Sequence, residues 1–417
     1  MNLKGERFDI IISGGSFTGL ALARALSNAL GPRARVAIIE KSVDSPTNAA
    51  PNPRAFALSK SAQQMLNVLG AWQLIENEAQ PVLNIEITDS SLEAGIRPVV
   101  LRYNNTLDDG APASYIIPDQ TLGNALRTMV NQTPNIEFIA PAMIEQVEHE
   151  TGFASVLLDN GRNLRTKLLV ATEGRKSRLR EKAGIKLVSW DYRQDGIVTQ
   201  IAHEHSHNAT AIQHFLPGGP FAILPMKKNR SCITWSEERT KAQELMNSDD
   251  ATFLENIEMR VGGRLGKLTL DGPRQSWPLS MHLARSYIAE RLALVGDTAH
   301  GVHPIAGQGL NLGLRDVAAL TQVTAETWRL GLDIGANDGN GDGLSRYQRW
   351  RRFDSMMSTA AFDGLNRLFS NDKSLLRSLR TAGLGIVDRL PQLKHMFITE
   401  AAGLSGNVPR LLKGKAV

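Results

Sequence analysis

The stretch FDIIISGGSFTGL, residues 8–20, decides the fold, because an apolar run of strand length ends directly in a glycine-rich turn. A segment rich in Ala and Leu follows to about Leu30, and a second short apolar run, VAII, occupies residues 36–39. The spacing of the apolar residues predicts a strand, a helix and a second strand in this order. We therefore expect the chain to begin with one βαβ unit of an α/β lobe.

The glycine-rich turn has the pattern GxGxxG, with serine in place of the second glycine. Such a turn exposes backbone N–H groups at the positive end of a helix, where a pyrophosphate binds. Gly14 permits the tight turn, and Gly19 lets the helix pack closely on the strand. Ser16 either moves the diphosphate slightly outward or donates its own hydroxyl to it. The predicted phosphate-binding residues are Gly14, Gly15, Ser16, Thr18 and Gly19.

An acidic residue, Glu40, stands at the end of the second predicted strand. In dinucleotide-binding folds, an acidic residue about 20 positions beyond the glycines accepts hydrogen bonds from a ribose. Glu40 is therefore the predicted ribose ligand. A glycine-rich turn with an unrelated surface glutamate is the alternative interpretation.

Length and composition exclude several classes of protein. A chain of 417 residues is long enough for two lobes, and its 42% of hydrophobic and 21% of charged residues are typical of a globular protein. The single cysteine, Cys232, excludes a disulfide and a multi-cysteine metal site within one chain. The net charge is only +5, with basic and acidic residues intermixed, so nucleic acid is not an expected partner. The sequence shows no secretory signal and no apolar run of about 18 residues, so we expect a cytoplasmic location.

A second glycine-rich segment, GDTAHGVHPIAGQGLNLGLRD, occupies residues 296–316 and follows the apolar run LALV. Asp297, placed directly after a buried strand, suits the hydroxyl groups of a ribityl chain. The glycines before the next predicted helix, which starts at about Gly309, would present N–H groups to the electron-rich edge of a ring. The predicted cofactor ligands of this segment are Gly296, Asp297, Pro304, Gly307, Gly309, Leu310 and Asn311.

The second segment resembles a family. The aromatic-ring hydroxylase flavoproteins, which are similar to p-hydroxybenzoate hydroxylase, include the ubiquinone-biosynthesis hydroxylases with the signature HP-x-AGQG-x-N-x-G-x-x-D. Residues 303–316 hold every fixed position of it, and the resemblance extends over nearly the whole chain. It implies that FAD is the cofactor and that NAD(P)H is the co-substrate.

The resemblance also implies roles for residues outside the two motifs. Arg54, in PRAFAL, matches an arginine that lies along the cofactor, and Gln120, in YIIPDQ, matches a residue that reaches the flavin and is often arginine in relatives. Glu173, in ATEGRKS, replaces the aspartate of a motif that serves both FAD and the pyridine nucleotide. Because of this replacement, the sequence does not predict whether NADH or NADPH is preferred. His303 and Pro304 are candidates for a catalytic role, although bond-making belongs to the cofactor.

The implied fold is α/β: a Rossmann-like FAD-binding domain with a three-stranded side arm, an inserted mixed-sheet substrate domain and C-terminal helices. Residues 59–72 are predicted to form a helix, and apolar runs at residues 196–201, 221–224 and 231–235 agree with a sheet-rich insert. The predicted FAD-binding domain has residues 1–75, 105–180 and 280–340, the substrate domain has residues 76–104 and 181–279, and the C-terminal helical region has residues 341–417.

The implied activity is that of an FAD-dependent monooxygenase. NAD(P)H reduces FAD, and the reduced flavin uses O2 to transfer a hydroxyl group to an electron-rich aromatic ring. The implied substrate is a polyprenylated phenol of ubiquinone biosynthesis. A hydroxylase of a small soluble aromatic and a flavin-bearing scaffold subunit of a biosynthetic complex are the alternatives. A halogenase is disfavoured because the WxWxIP segment of that group is missing.

A polyprenyl substrate is nearly insoluble, so a peripheral location at the inner membrane is a further expectation, together with a ubiquinone-biosynthesis complex as partner. Apolar and basic residues alternate in the C-terminal third, as in an interfacial helix against anionic lipid. An amphipathic helix packed on the core is the alternative. The residues concerned are Leu375, Leu376, Leu379, Leu384, Ile386, Val387 and Leu390, with Arg377, Arg380, Arg389, Arg410, Lys413 and Lys415.

Two patterns that suggest metal sites are discounted. The run DGNGDG at residues 338–343 matches the first half of a calcium loop, but its twelfth position is Arg349 rather than glutamate. His203, His205 and His207 alternate as on one face of a strand, yet no carboxylate cluster accompanies them. No metal site is therefore predicted.

Overall fold

The computed structural model describes residues 5–42, 52–89, 99–216, 218–302, 307–337, 343–369 and 398–417. These residues form twenty strands: β1 Glu6–Ser13, β2 Val36–Ile39, β3 Ala55–Ser59, β4 Gln80–Val82, β5 Asn84–Asp89, β6 Val99–Asn104, β7 Ser114–Pro118, β8 Ile136–Ile139, β9 Ile144–Glu150, β10 Phe153–Leu158, β11 Asn163–Ala171, β12 Leu187–His203, β13 Thr210–Leu216, β14 Gly219–Met226, β15 Arg230–Glu238, β16 Leu268–Leu270, β17 Gln275–Ala284, β18 Ile288–Ala289, β19 Leu292–Leu294 and β20 His300–Gly301. Their α-helices include α1 Phe17–Leu30, α2 Lys60–Leu69, α3 Trp72–Ile75, α4 Asp119–Asn131, α5 Arg178–Lys182, α6 Arg239–Asn247, α7 Asp250–Val261, α8 Gly309–Arg329 and α9 Gly343–Phe369.

An eight-stranded sheet forms the centre of the first lobe. Its main path runs β18-β19-β11-β1-β2-β8; in addition, β10 pairs with β11 and β9 pairs with β10. The neighbours from β19 to β8 are parallel. The inner part of β1 and the whole of β2 are buried, which explains why both are continuous apolar runs rather than alternating ones. Because β1 and β19 end at the same edge of the sheet, this edge carries the chain into both glycine-rich motifs.

Two further sheets lie beside the first. A three-stranded sheet has the order β3-β7-β4, and a nine-stranded sheet has the order β20-β17-β12-β15-β14-β13-β5-β6, with β16 attached to β12. The nine-stranded sheet is mixed, because β13 pairs with β5 in parallel and with β14 antiparallel. An apolar cluster joins the two sheets and includes Val82, Ile116, Val198, Met226 and Cys232. Burial raises the pKa of the Cys232 thiol to about 11, so this cysteine is a protonated core residue.

The structure confirms the α/β fold with a three-stranded side arm and an inserted mixed sheet. Helix α1 ends at Leu30 and β2 spans Val36–Ile39, as predicted. The helix predicted over residues 59–72 is wrong in length, because Gly70 adopts a left-handed conformation with φ +87° and ends α2. His203 is the last residue of β12, so the three alternating histidines do not share one strand.

The predicted domain boundaries stay a proposal. Strands β5 and β6, from residues 76–104, join the nine-stranded sheet, whereas β4 pairs with β7 in the three-stranded sheet. Strand β17 runs across the proposed boundary between residues 279 and 280. We propose that the two domains are divided as predicted and that β17 connects them.

Residues 398–417 pack back on the first lobe. Leu411 and Leu412 are buried in its core, and the indole Nε1 of Trp350 donates to the carbonyl oxygen of Asn407 at 2.8 Å. The basic residues Arg410, Lys413 and Lys415 are exposed on this tail. The apolar and basic residues predicted to contact lipid between 375 and 390 lie outside the described residues. Within the described part of the chain, no helix is long and apolar enough to cross a membrane.

Candidate functional site

The N-terminus of α1 has no side-chain cap. Gly14 has φ +111°, and a Cβ there would lie 2.6 Å from the carbonyl oxygen of Thr172. A Cβ at Gly19 would lie 2.0 Å from the carbonyl oxygen of Gly14, so both positions require glycine. Ser16 is the N-cap residue, but its exposed side chain makes no capping hydrogen bond, and the first turn contains no acidic residue. Since the first N–H groups of a helix lack intrahelical acceptors, α1 presents a positively polarised end to an anion.

Glu40 lies beside this turn, directly after β2. Its Oε2 accepts a hydrogen bond from the N–H of Gly15 at 2.6 Å, and its Oε1 accepts one from the N–H of Ser42 at 3.2 Å. Two backbone donors thus fix the carboxylate next to the end of α1. The structure brings Glu40 next to the glycine-rich turn, and its contact with a ribose stays a prediction.

Thr18 connects the two glycine-rich motifs. A Cβ at Gly313 would lie 2.7 Å from Cγ2 of Thr18, and a Cβ at Gly296 would lie 3.2 Å from the same atom. Glycine at these positions therefore lets α1 approach α8 and the turn after β19. The end of α1 and this turn form one continuous surface.

The turn Gly296–Thr298 is held by several neighbours. Its hydrogen bonds run from Gly296 N–H to Asp316 Oδ2, from Gly174 N–H to Thr298 Oγ1, from Arg180 Nη1 to the Thr298 carbonyl and from His282 Nε2 to the Asp297 carbonyl, at 2.9, 2.9, 3.2 and 2.7 Å. The carboxylate of Asp297 is exposed, and it has no hydrogen-bond partner among the described residues. A rigid backbone therefore presents an available acceptor.

Glu173 is engaged by the protein itself. Its Oε1 accepts from the hydroxyl of Ser13 at 2.8 Å, and its Oε2 accepts from the hydroxyl of Ser177 at 2.5 Å and from the N–H of Leu179 at 3.0 Å. These bonds join the end of β1 to the start of α5. The observed contacts of Glu173 are internal, and its contact with the cofactor stays a prediction.

Asn311 ties the start of α8 to the side arm. Its Oδ1 accepts from the N–H of Ser59 at 3.0 Å, and its Nδ2 donates to the carbonyl oxygen of Ala57 at 2.8 Å. Gly307 faces the same strand, because a Cβ there would lie 3.2 Å from Cβ of Ala57. The Asn311 side chain therefore positions β3, and its role as a cofactor ligand stays a prediction.

The remaining predicted residues of this motif are partly described. Gly309 and Leu310 are half-buried in the first turn of α8, and a Cβ at Gly309 would meet no atom of a described residue within 4 Å. With respect to the described residues, Gly309 therefore borders open space at the N-terminal end of α8. His303 and Pro304, the catalytic candidates, lie outside the described residues.

Arg54 lies between the three-stranded and the nine-stranded sheet. Its guanidinium carbon is 5.7 Å from the ring centroid of Trp277 and 5.1 Å from that of Phe56, and its Nε is 3.8 Å from Oδ2 of Asp119. Burial raises the pKa of Asp119, and the charge of Arg54 opposes this rise. Gln120 follows in the first turn of α4, with a half-buried side chain. Both residues stand at the side arm, and their contacts with the cofactor stay predictions.

Sequence reasoning missed the role of Asp316, which it treated only as a motif position. Asp316 is fully buried; His300 Nε2 lies 2.6 Å from its Oδ2, and Arg351 Nε donates to its Oδ1 at 2.6 Å. Burial alone would raise the pKa of Asp316, but His300 and Arg351 outweigh it and hold the pKa below its usual value. An acidic residue on the apolar face of a predicted helix is the signal that could have revealed this network. No comparable signal marked His282.

The residues fit FAD. The uncapped end of α1 suits a diphosphate, the fixed carboxylate of Glu40 suits a ribose, and the exposed carboxylate of Asp297 suits a ribityl chain. Among the described residues, the open space at Gly309 leaves room for the flavin ring at the N-terminal end of α8. No group of His, Cys, Asp and Glu in the described residues could hold a metal ion.

Comparisons with known proteins agree with this arrangement. A family model described as FAD binding domain matches residues 7–334. The chain is 37% identical over 410 residues to "Ubiquinone hydroxylase UbiL" of Rhodospirillum rubrum, covering 97% of this chain and 92% of that protein. It is 30% identical over 450 residues to "Ubiquinone biosynthesis monooxygenase COQ6, mitochondrial" of Danio rerio, covering 96% of this chain and 90% of that protein.

A solved structure shares the fold. The crystal structure of p-nitrophenol 4-monooxygenase PnpA from Pseudomonas putida DLL-E4 superposes with a TM-score of 0.77. The superposition covers 96% of this chain and 99% of the PnpA chain. The sequence identity is 19%, so this likeness concerns the fold alone.

Proposed function

The chain belongs to the FAD-binding-domain family, and on that premise we propose that it is an FAD-dependent monooxygenase that uses NAD(P)H and O2 to hydroxylate an aromatic ring. The observation that carries the proposal is the continuous surface formed by the uncapped end of α1, Thr18 and the exposed carboxylate of Asp297. The names of the relatives point to an aromatic intermediate of ubiquinone biosynthesis as the substrate, and we propose a polyprenylated phenol.

Each end of this surface has a proposed partner in the cofactor. The diphosphate is assigned to the N–H groups at the start of α1, with the hydroxyl of Ser16 as an additional donor. Gly15 acts indirectly, because its N–H already holds the Glu40 carboxylate that receives the ribose hydroxyls. The ribityl hydroxyls donate to Asp297, and Arg54 lies along the cofactor from the side arm.

The chain itself binds, orients and excludes water, while FAD supplies hydride acceptance from NAD(P)H and the activation of O2. We place the substrate ring against the apolar surface of Ala57, Leu224 and Trp277. These half-buried residues pack on the cluster between the two smaller sheets, and Ala57 also faces Gly307. An apolar wall excludes water from the reacting ring. The shape of this wall, rather than a polar contact, then orients the ring. No proton transfer is assigned to a described side chain.

The metabolites of a deletion strain test the proposed substrate. Loss of the gene should lower ubiquinone and accumulate a polyprenylphenol that lacks one ring hydroxyl, and the wild-type gene should restore ubiquinone. An unchanged ubiquinone level with no accumulated phenol would contradict the proposal. Turnover stimulated by small soluble phenols, but not by prenylated ones, would instead identify a hydroxylase of small aromatics.

We also propose that the chain works at a membrane surface, because the prenyl tail of such a substrate stays in lipid. The basic residues Arg377 and Arg380, which lie outside the described residues, would face anionic lipid. Truncation is a poor test, because Leu411 and Leu412 anchor the tail in the core. Salt-sensitive pelleting with anionic liposomes, lost in the double variant Arg377→Glu and Arg380→Glu with FAD retained, would support the proposal. Absence of lipid-dependent pelleting at low salt would contradict it. We further propose that the chain belongs to a ubiquinone-biosynthesis complex, because its proposed substrate is an intermediate of that biosynthesis.

A further inference from the structure

His282 lies where the nine-stranded sheet meets the turn that carries Asp297. It belongs to β17, which pairs with β12 along the sheet and with β20 at His282 and Leu283. Its side chain is only 2% exposed, and its Nε2 lies 2.7 Å from the carbonyl oxygen of Asp297. Since a carbonyl oxygen can only accept, the imidazole donates its Nε2–H, and its Nδ1 is the unprotonated nitrogen.

The surroundings keep this imidazole neutral and in place. Burial lowers the pKa of His282 to about 4, so Nδ1 stays unprotonated at neutral pH. The backbone of Gly301 packs directly against the ring, because a Cβ there would be 2.3 Å from Cε1 of His282. Nδ1 has no hydrogen-bond partner among the described residues. Among the described residues, the buried imidazole therefore makes its hydrogen bond to Asp297 alone.

The neighbouring hydrogen bonds do not duplicate this contact. Within the described residues, Asp316 holds Gly296, and Gly174 and Arg180 hold Thr298. His282 bonds to Asp297 itself, whose carboxylate is exposed. A free peptide at this point would rotate, and the direction of the carboxylate would change with it.

We propose that His282 is a positioning residue that fixes the Asp297 peptide and thereby aims its carboxylate at the cofactor. The inference rests on the proposed function, because it takes Asp297 as a ligand of FAD. His282 also connects the substrate-covering sheet to the cofactor-binding turn, since β17 carries Trp277 at its other end. A displacement of β17 would therefore reach the Asp297 peptide directly through this hydrogen bond.

Three variants separate the hydrogen bond from the space that the ring fills. His282→Leu removes the donor, and we expect the Kd for FAD to rise about tenfold. His282→Gln carries an amide N–H at the reach of Nε2, so its Kd should stay within about threefold of wild type. His282→Asn is the matched control, because its amide reaches only as far as Nδ1, and it should behave like His282→Leu. FAD titration by fluorescence gives the Kd, and thermal unfolding of the apoproteins reports any folding defect.

A double-mutant cycle decides whether His282 acts through Asp297. In the Asp297→Ala background, His282→Leu should change the Kd for FAD by less than about twofold, because the aimed group is gone. Fully additive losses, wild-type affinity in His282→Leu, or equal losses in His282→Gln and His282→Leu would each overturn the inference. A wild-type protein that binds no FAD would overturn the proposed function instead, so the two failures are distinguishable.

Discussion

Arg351 on α9 donates its Nε–H to Oδ1 of Asp316 on α8 at 2.6 Å, and both side chains are buried. The second oxygen of Asp316 accepts from the N–H of Gly296 and contacts His300. The carboxylate therefore joins α9 to the turn that presents Asp297. Because the charges are buried, removal of one partner leaves the other uncompensated.

Arg351→Leu should lower the free energy of unfolding of the apoprotein by about 3–5 kcal/mol, because it removes the guanidinium that compensates the buried Asp316 carboxylate. Arg349 lies on the same helix but is exposed, so Arg349→Leu should change the free energy of unfolding by less than about 0.5 kcal/mol. Urea denaturation measures both values. Equal stability of the two variants would contradict a structural role for the Arg351–Asp316 pair.

His282 should make stability depend on pH in a defined window. Its pKa in the folded protein is about 4, below the ordinary 6.5, so a proton binds the unfolded chain more tightly. The contribution of the neutral His282 to the free energy of unfolding is fully present above pH 6.5 and is lost as the pH falls towards 4. Between about pH 7 and about pH 5, wild type should lose about 2 kcal/mol more than His282→Gln in urea denaturation. The same pH dependence in both proteins would show that His282 is not a buried neutral imidazole.

Gly19→Ala and Gly309→Ala form a matched pair. A Cβ at Gly19 would lie 2.0 Å from a backbone oxygen, so this variant should lose at least about 2 kcal/mol of stability. A Cβ at Gly309 would meet no atom of a described residue within 4 Å, so the apoprotein should keep its Tm while its affinity for FAD falls. Thermal unfolding and FAD titration check both statements. Unchanged FAD affinity in Gly309→Ala would remove this position from the cofactor site.

Asp297→Ala should weaken FAD binding about ten- to hundredfold, because a charge-assisted hydrogen bond contributes about 1.5–3 kcal/mol. Asp297→Asn keeps a neutral acceptor, and its loss should be smaller. Equilibrium titration of the apoproteins gives the two Kd values. If Asp297→Ala kept its FAD and lost only hydroxylation, Asp297 would be catalytic rather than a cofactor ligand.

Local patterns predicted the local structure well. Apolar periodicity and the glycine-rich turn placed α1 and β2 correctly, because both signals are contained within a few residues. The helix predicted over residues 59–72 failed at Gly70, whose left-handed conformation is one of several that glycine allows. The signature at residues 303–316 identified the family, and the three sheets were predicted from the fold of that family.

Contacts between distant parts of the chain could not be predicted. The bond from His282 to Asp297 depends on the pairing of β17 with β20, and the pair of Asp316 and Arg351 depends on how α9 packs on α8. The bonding of Asn311 shows the same limit, because its partners on β3 follow from the position of the side arm. A motif thus identified these residues as important, whereas their bonding required the tertiary structure.

The most direct test of the account is the origin of the oxygen atom in the product. Purified protein loaded with FAD is incubated with NAD(P)H, a prenylated phenol in detergent and isotopically labelled O2, and the product is analysed by mass spectrometry. We predict one labelled oxygen atom in each hydroxylated ring and one NAD(P)H oxidised for each product formed. A product oxygen that comes from water, or NAD(P)H oxidation that yields only hydrogen peroxide with every phenol tested, would contradict the proposed hydroxylation.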